Sequence, residues 1–254
     1  MIDIRNLCFG YGSKTVFQDI NVHIRKGGFY ALMGANGSGK TTLLRCMGNL
    51  LRPTCGEVLV EGVPVRQFSV RELACKMAYV RQQMQTDFEF SGFEMVLMGR
   101  NPYQHRLQNE SQQDWDIVEQ CMRLTNTWHL RFARPGEMSG GELQRVMIAR
   151  ALAQQTDILL LDEPVSNLDI AHQFEILDLM KTITIQQHKT VVLVIHDLNA
   201  ALRYCTDVLL LHQSALFFQG PIRQGLTPDN IRAVFGIDAS LVDIDGVSTV
   251  VYSR

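Results

Sequence analysis

The sequence predicts an α/β fold organised around a parallel sheet, on three observations. The runs FYALM (29–33), ILLL (158–161) and VVLVI (191–195) are short and almost continuously apolar, the pattern of strands buried on both faces. A helical pattern follows each run, starting near Gly39, Ile170 and Leu198. Strand–helix alternation of this kind builds parallel sheets with right-handed crossovers.

The remaining elements follow in chain order. MIDIRNLCF and QDINVHI alternate apolar and polar residues around the turn GYGSK, which predicts an antiparallel β layer at the N-terminus. MAYV (77–80) reads as a further strand. From about 85 to 157 the chain is polar and Gln-rich, with helical patterns at 112–124 and 141–154 and no convincing strand. This stretch is expected to be a helical subdomain inserted between two parts of the sheet domain, 1–84 and 158–254. TPDNIRAVF and STVVYS in the tail predict a short helix and an edge strand.

The totals narrow the class. A chain of 254 residues suits one large domain with a substantial core. Lys+Arg 24 against Asp+Glu 26 leaves a net charge of -2, so nothing in the overall charge favours nucleic acid. No apolar run reaches the roughly 18 residues of a membrane span. Asp3 and Arg5 interrupt MIDIRNLCFG, which predicts no signal peptide. The six cysteines (8, 46, 55, 75, 121, 205) show no CxxC and no metal-ligand spacing. They are expected to be reduced thiols of a cytosolic protein.

GANGSGKTT, residues 34–42, fits G-x-x-x-x-G-K-[ST] at Gly34, Gly39, Lys40 and Thr41. It follows a strand and opens the apolar helix TTLLRCMGNLL, the context this motif requires. Glycines let successive N–H groups wrap phosphates, which assigns Gly34, Asn36, Gly37, Ser38, Gly39, Lys40, Thr41 and Thr42 to nucleotide binding. Lys40 would reach the β- and γ-phosphates, and Thr41 would ligate Mg²⁺. The competing reading is a Gly-rich strand-to-helix turn.

ILLLDEP ends a buried strand with two carboxylates, at the edge where open α/β sheets bind ligands. Phosphate-bound Mg²⁺ needs a hard oxygen ligand, which Asp162 supplies. Glu163 follows as candidate orienter and base for an attacking water. VVLVIHDLNAAL repeats the geometry, with His196 at the strand end and Asp197 as N-cap of the next helix. A histidine at such a boundary is ordinarily structural. Beside the two strands already assigned, His196 becomes a candidate γ-phosphate contact. Tyr11, in the turn GYGSK, could stack an adenine. Gln82 and Gln83 follow the strand MAYV, where the chain leaves for the helical region.

EMSGGELQRVMIARALAQ (137–154) poses a problem. It starts a helix on Gly140 and Gly141, each about 1 kcal/mol worse than alanine inside a helix. Ser139 as N-cap with Glu142 at N3 forms a capping box, which explains those two residues and not the glycines between them. A helix N-terminus stripped of side chains also admits an anion close to the backbone.

Taken together, these motifs resemble the nucleotide-binding subunits of ABC transporters over essentially the whole chain. In order they are the aromatic A-loop residue Tyr11, Walker A (34–42), the Q-loop Gln82, the signature MSGGE (138–142), Walker B (158–163), the D-loop SNLD (166–169) and the switch His196. The register of the Q-loop favours Gln82 over Gln83. The resemblance implies a RecA-like P-loop NTPase core, ATP and Mg²⁺ as cofactors, and a head-to-tail homodimer. Ser139, Gly140 and Gly141 would then meet the γ-phosphate held by the other subunit, which accounts for the glycines. Asp169 joins the nucleotide-binding set by the same resemblance. Gln82 joins Thr41 and Asp162 around the metal, and Lys40, Gln82, Glu163 and His196 form the catalytic group. Met138 and Glu142 depart from the commonest signature, LSGGQ.

MVLMGRNPYQHR (95–106) and SNLDIAHQFEIL (166–177) resemble a narrower branch, the importers of iron–siderophores, heme and vitamin B12. This implies membrane-spanning permease subunits, indirectly a substrate-binding protein, and a peripheral position on the cytoplasmic side of the inner membrane. A groove beside the Q-loop would receive the permease, with Phe88, Phe90, Phe93 and Met95 as candidate floor residues. Two rivals stand beside this reading. One is a soluble ABC ATPase serving a non-membrane partner such as an iron–sulfur assembly scaffold. The other is a P-loop small-molecule kinase, which leaves MSGGE and SNLD unexplained.

Overall fold

The computed structural model describes residues 1–81, 89–104, 110–166, 168–244 and 246–253. The chain begins with the hairpin β1 (Ile2–Tyr11) and β2 (Lys14–Ile24), then β3 (Phe29–Gly34) and α1 (Lys40–Met47). β4 (Cys55–Val60), β5 (Val63–Pro64), α2 (Val70–Lys76) and β6 (Met77–Val80) follow. The next segment carries α3 (Gly92–Leu97), α4 (Gln112–Leu124) and α5 (Gly140–Ala153), and no strand among its described residues. Alternation then resumes with β7 (Ile158–Leu161), α6 (Ile170–Gln187), β8 (Thr190–Val194), α7 (Leu198–Tyr204) and β9 (Asp207–His212). β10 (Ala215–Pro221), α8 (Ile222–Gly225), α9 (Pro228–Phe235) and the hairpin β11 (Ala239–Ile244)–β12 (Val247–Tyr252) close the chain.

The large sheet has the order β10-β9-β3-β8-β7-β6. It is parallel from β9 through β6, with β10 antiparallel at one edge. Every residue of β3, β7 and β8 is buried, as expected of strands covered on both faces. β8 lies between β3 and β7. Because the three run parallel, the residues after Gly34, Leu161 and Val194 emerge side by side at one edge. A second sheet, β2-β1-β4-β5, is antiparallel and is the N-terminal β layer expected from the alternating pattern.

Two cores lie on opposite faces of the large sheet. One packs α1 and the antiparallel layer, through Leu43, Leu44, Phe17 and Ile20, against Tyr30, Leu160 and Val192. The other packs α4, α5, α6 and α7, through Val118, Val146, Met180 and Ala201, against Ala31, Leu161 and Leu193. No described helix is long and apolar enough to cross a membrane.

The structure differs from expectation at two places. Met95 is only 4% exposed, so it is no part of a groove floor, while Phe93 is half-buried against the second core. Both belong to α3, whose apolar side is covered by α4 and α5. Phe90 is exposed, and Phe88 lies outside the described residues. Second, Cys8 and Cys55 are register partners across β1 and β4 and are linked as a disulfide, Cα atoms 5.0 Å apart. Their separation of 47 residues hides this pairing until the strand register is known. Cys46, Cys75, Cys121 and Cys205 are free.

Candidate functional site

Among the described residues, every α-helix longer than a single turn except α1 begins with a side-chain cap. Serine caps α2, α3, α4 and α5, aspartate caps α6 and α7, and Thr227 caps α9. Helix α1 starts at Gly39, with φ 95° and no side-chain cap. Its first N–H groups are therefore orphan donors that attract an anion.

The loop before α1 depends on two glycines. Gly34 has φ 149°, and a Cβ there would run into the Leu211 carbonyl oxygen and press on Ser38 Oγ. At Gly39 a Cβ would stand 2.9 Å from Val16 Cγ1 on β2. Inside the loop, buried Lys40 donates from Nζ to the carbonyls of Gly34 and Ala35, both at 3.0 Å. Burial lowers its pKa, and the nearby Glu163 and Asp162 charges oppose that shift. Ser38 Oγ is buried with no hydrogen-bond partner. An orphaned hydroxyl of this kind needs a partner.

Asp162, the residue after β7, is fully buried. Thr41 Oγ1 donates to its Oδ1 at 2.7 Å, and the Tyr79 hydroxyl donates to its Oδ2 at 2.9 Å. Burial next to this carboxylate pushes the Tyr79 phenol well above its ordinary value. Glu163 follows, with Oε1 2.9 Å from His196 Nε2. The structure thus brings Lys40, Thr41, Asp162, Glu163 and His196 to one sheet edge.

Tyr11 is exposed at the end of β1 and packs edge-on to Phe9 at 4.9 Å. Phe9 in turn meets Phe17, which packs beside Gly39, so the tyrosine stands on the wall next to the loop. Asn36 and Gly37 are exposed at the loop tip, while Thr42 is half-buried on α1. Gln82 lies outside the described residues.

Ser139 and Glu142 form the capping box. The Ser139 N–H and Oγ both donate to Glu142 Oε2 at 2.8 Å, and the Glu142 N–H donates back at 3.3 Å. A Cβ built on Gly140 meets nothing within 4 Å. Neither its backbone conformation nor packing among the described residues requires that glycine. Asp169 caps α6 by accepting from the His172 N–H at 2.9 Å. Among the described residues, no hydrogen bond joins Ser139–Gly141 or Asp169 to the Gly34–Thr42 loop.

Tyr79 is the member of the site that sequence reasoning missed. The signal exists only once strand pairing is known: Tyr79 pairs with Leu160, two residues before Asp162, and side chains two apart share a face of the sheet.

Fold and site together define a P-loop nucleotide-binding protein. The family model described as ABC transporter matches residues 17–166. The achromobactin transport ATP-binding protein CbrD of Dickeya dadantii is 38% identical over 241 residues, covering 95% of this chain and 90% of its own. An inward-facing structure of a putative metal-chelate type ABC transporter superposes with a TM-score of 0.85 at 29% identity, over 99% of this chain and 96% of that one. The ATP-binding cassette MJ0796, solved as a dimer in a post-hydrolysis state bound to ADP and Pi, superposes with a TM-score of 0.78 at 29% identity, over 88% and 99%. The chain belongs to the ABC transporter family, and it is an ATPase domain of that family.

Proposed function

We propose that the chain is the ATP-hydrolysing subunit of an importer for metal chelates of the iron–siderophore, heme or vitamin B12 type. It works as a homodimer on membrane-spanning permease subunits at the cytoplasmic side of the inner membrane, with a substrate-binding protein supplying the permease. Residues 1–84 and 158–254 form the ATP-binding core and 85–157 the helical subdomain. The observation that carries the catalytic part is the uncapped α1 beside the buried Thr41–Asp162 pair, with Glu163 and His196 alongside. The substrate class rests on the achromobactin relative and the metal-chelate transporter.

Phosphates of ATP fit the loop: the α1 N–H groups, Lys40 and the orphaned Ser38 hydroxyl are its donors, and Tyr11 stacks the adenine. Thr41 and Asp162 are hard oxygen ligands 2.7 Å apart, a donor set suited to Mg²⁺, which neutralises charge on the phosphates when bound. Gln82 completes that set. Glu163 orients and deprotonates the attacking water, and His196 holds Glu163 and contacts the γ-phosphate. The open space over Gly140 admits the partner subunit's nucleotide, with the Gly140 and Gly141 N–H groups and Ser139 as donors and Asp169 beside them.

Co-expression with a permease of the metal-chelate importer type tests the reading. A stable membrane complex should form, whose ATPase rate rises when a binding protein loaded with a ferric siderophore is added. Recovery with an iron–sulfur assembly scaffold and no membrane protein would favour the soluble rival.

A further inference from the structure

We propose that Tyr79 is a positioning residue for the metal-ligating Asp162, fixing its carboxylate through the oxygen that Thr41 does not hold. The inference rests on the proposed Mg²⁺ reading of the Thr41–Asp162 pair.

Asp162 is a fully buried carboxylate with no ion pair among the described residues. Lys40, the nearest cation in the loop, spends its hydrogen bonds on the Gly34 and Ala35 carbonyls. The two oxygens are instead taken by one hydroxyl each, from different elements: Thr41 on α1 to Oδ1 at 2.7 Å, Tyr79 on β6 to Oδ2 at 2.9 Å. A carboxylate gripped at one oxygen can still rotate about its χ2. Gripped at both, its plane is fixed, and so is the lone pair it offers to a metal.

The two grips differ in stiffness. Thr41 belongs to the nucleotide loop's own helix and shares its oxygen with the metal when one binds. Tyr79 is anchored by the sheet, with its backbone in register opposite Leu160. Its rigid ring forms a wall of a cavity of 360 Å³ between β6 and α5, which Leu50, Arg81, Met147, Arg150 and Gln154 also line. The positive charge of Arg45 on α1 stands near the phenol. Outer-shell donors of this kind set metal affinity by orienting the ligand.

Tyr79→Phe keeps the ring and removes only the hydroxyl, so the test uses the full-length protein with that single change. ATP affinity is measured with a fluorescent ATP analogue, in EDTA and across an Mg²⁺ titration, together with the melting temperature of the nucleotide-free protein. The expected result is that half-maximal Mg²⁺-dependent tightening needs about tenfold more Mg²⁺. Affinity in EDTA should stay within about twofold of the parent, while the melting temperature falls by a few degrees because the buried carboxylate loses one of its two donors. Tyr79→Leu, which also removes the ring, should show the same Mg²⁺ shift plus a larger loss of stability. An unchanged Mg²⁺ titration in Tyr79→Phe overturns the proposal. So does an equal loss of affinity in EDTA, which would mark general damage to the nucleotide site. If ATP binding to the parent ignores Mg²⁺, the metal reading itself fails, and that failure is visible before any variant is made.

Discussion

His196 Nε2 lies 2.9 Å from Glu163 Oε1, and Glu163 reaches that position from a left-handed backbone, φ 50°. A residue with a Cβ pays roughly 1–2 kcal/mol to sit there, and such strain persists only where surrounding structure fixes it. Here Ser166 does so: its N–H and its Oγ both donate to the Glu163 carbonyl, at 3.3 and 3.1 Å. The turn aims the glutamate at the histidine instead of letting it follow the strand direction.

If Glu163 is the base, Glu163→Gln should lower the ATP hydrolysis rate by at least about a hundredfold, the low end for losing a general base. ATP affinity should be retained, because the amide keeps size and polarity. Phosphate release and equilibrium ATP binding, measured on the same preparation, check both halves. Undiminished turnover would remove Glu163 from the role.

Lys40 makes its two hydrogen bonds to loop carbonyls in a site that gives up a charged donor when it is replaced. Lys40→Ala should weaken ATP binding about ten- to a hundredfold, corresponding to ~1.5–3 kcal/mol for a hydrogen bond to a charged group. Titration calorimetry reads this directly, and an unchanged Kd contradicts the assignment.

Glu142 serves its own helix, so Glu142→Gln should alter the ATPase rate by less than about tenfold, since glutamine can still accept from the Ser139 N–H. Acid stability separates the two side chains. The Ser139 N–H, then its hydroxyl, hold the Glu142 carboxyl below its ordinary value. A depressed carboxyl stabilises the fold above its unfolded pKa, and that contribution disappears as pH falls through the lowered folded value. Parent and Glu142→Gln should therefore differ in melting temperature at neutral pH and converge at strongly acidic pH. A gap that stays constant down to that range would deny the carboxylate its part in the cap.

The phosphate loop, Asp162, Glu163 and His196 were legible in the sequence because each lies within a few residues of a recognisable strand end. Gly140 was legible as an anomaly: nothing among the described residues fills the space a side chain would take. Tyr79 was not, since its partner is 83 positions away and only the β6–β7 register brings them together. Met95 misled for a similar reason. Its apolar neighbours are on α4 and α5, and nothing in FEFSGFEM marks which side of a short helix they will cover. Arg100 was visible only as part of a branch motif, and the structure supplies its physical role.

That role yields the last prediction. Arg100 is 6% exposed at the junction of three segments. Its Nε donates to Asp114 Oδ1 at 2.8 Å, and one terminal nitrogen donates to the Ala153 carbonyl at 2.8 Å and to Gln155 Oε1 at 3.0 Å. The guanidinium also stacks over the Tyr103 ring at 4.2 Å. Asp114 meanwhile closes the capping box of α4, accepting from the Ser111 N–H and hydroxyl through Oδ2. One arginine thus ties the start of α4 to the end of α5. Burial alone would raise the Asp114 pKa, yet the hydrogen bonds from Arg100 and Ser111 hold it below the ordinary aspartate value. Removing one partner of a buried pair costs about 3–5 kcal/mol, because the other charge is left uncompensated. Arg100→Met should therefore lower the melting temperature by roughly 6–20 °C, at ~2–4 °C per kcal/mol for a chain of this size. Asp114→Asn added to it should restore part of the loss, since an amide tolerates burial without a countercharge better than a carboxylate does. Thermal melts of the parent and both variants at neutral pH decide the matter. A single mutant within 2 °C of the parent would mean that the pair offsets no more than its own desolvation.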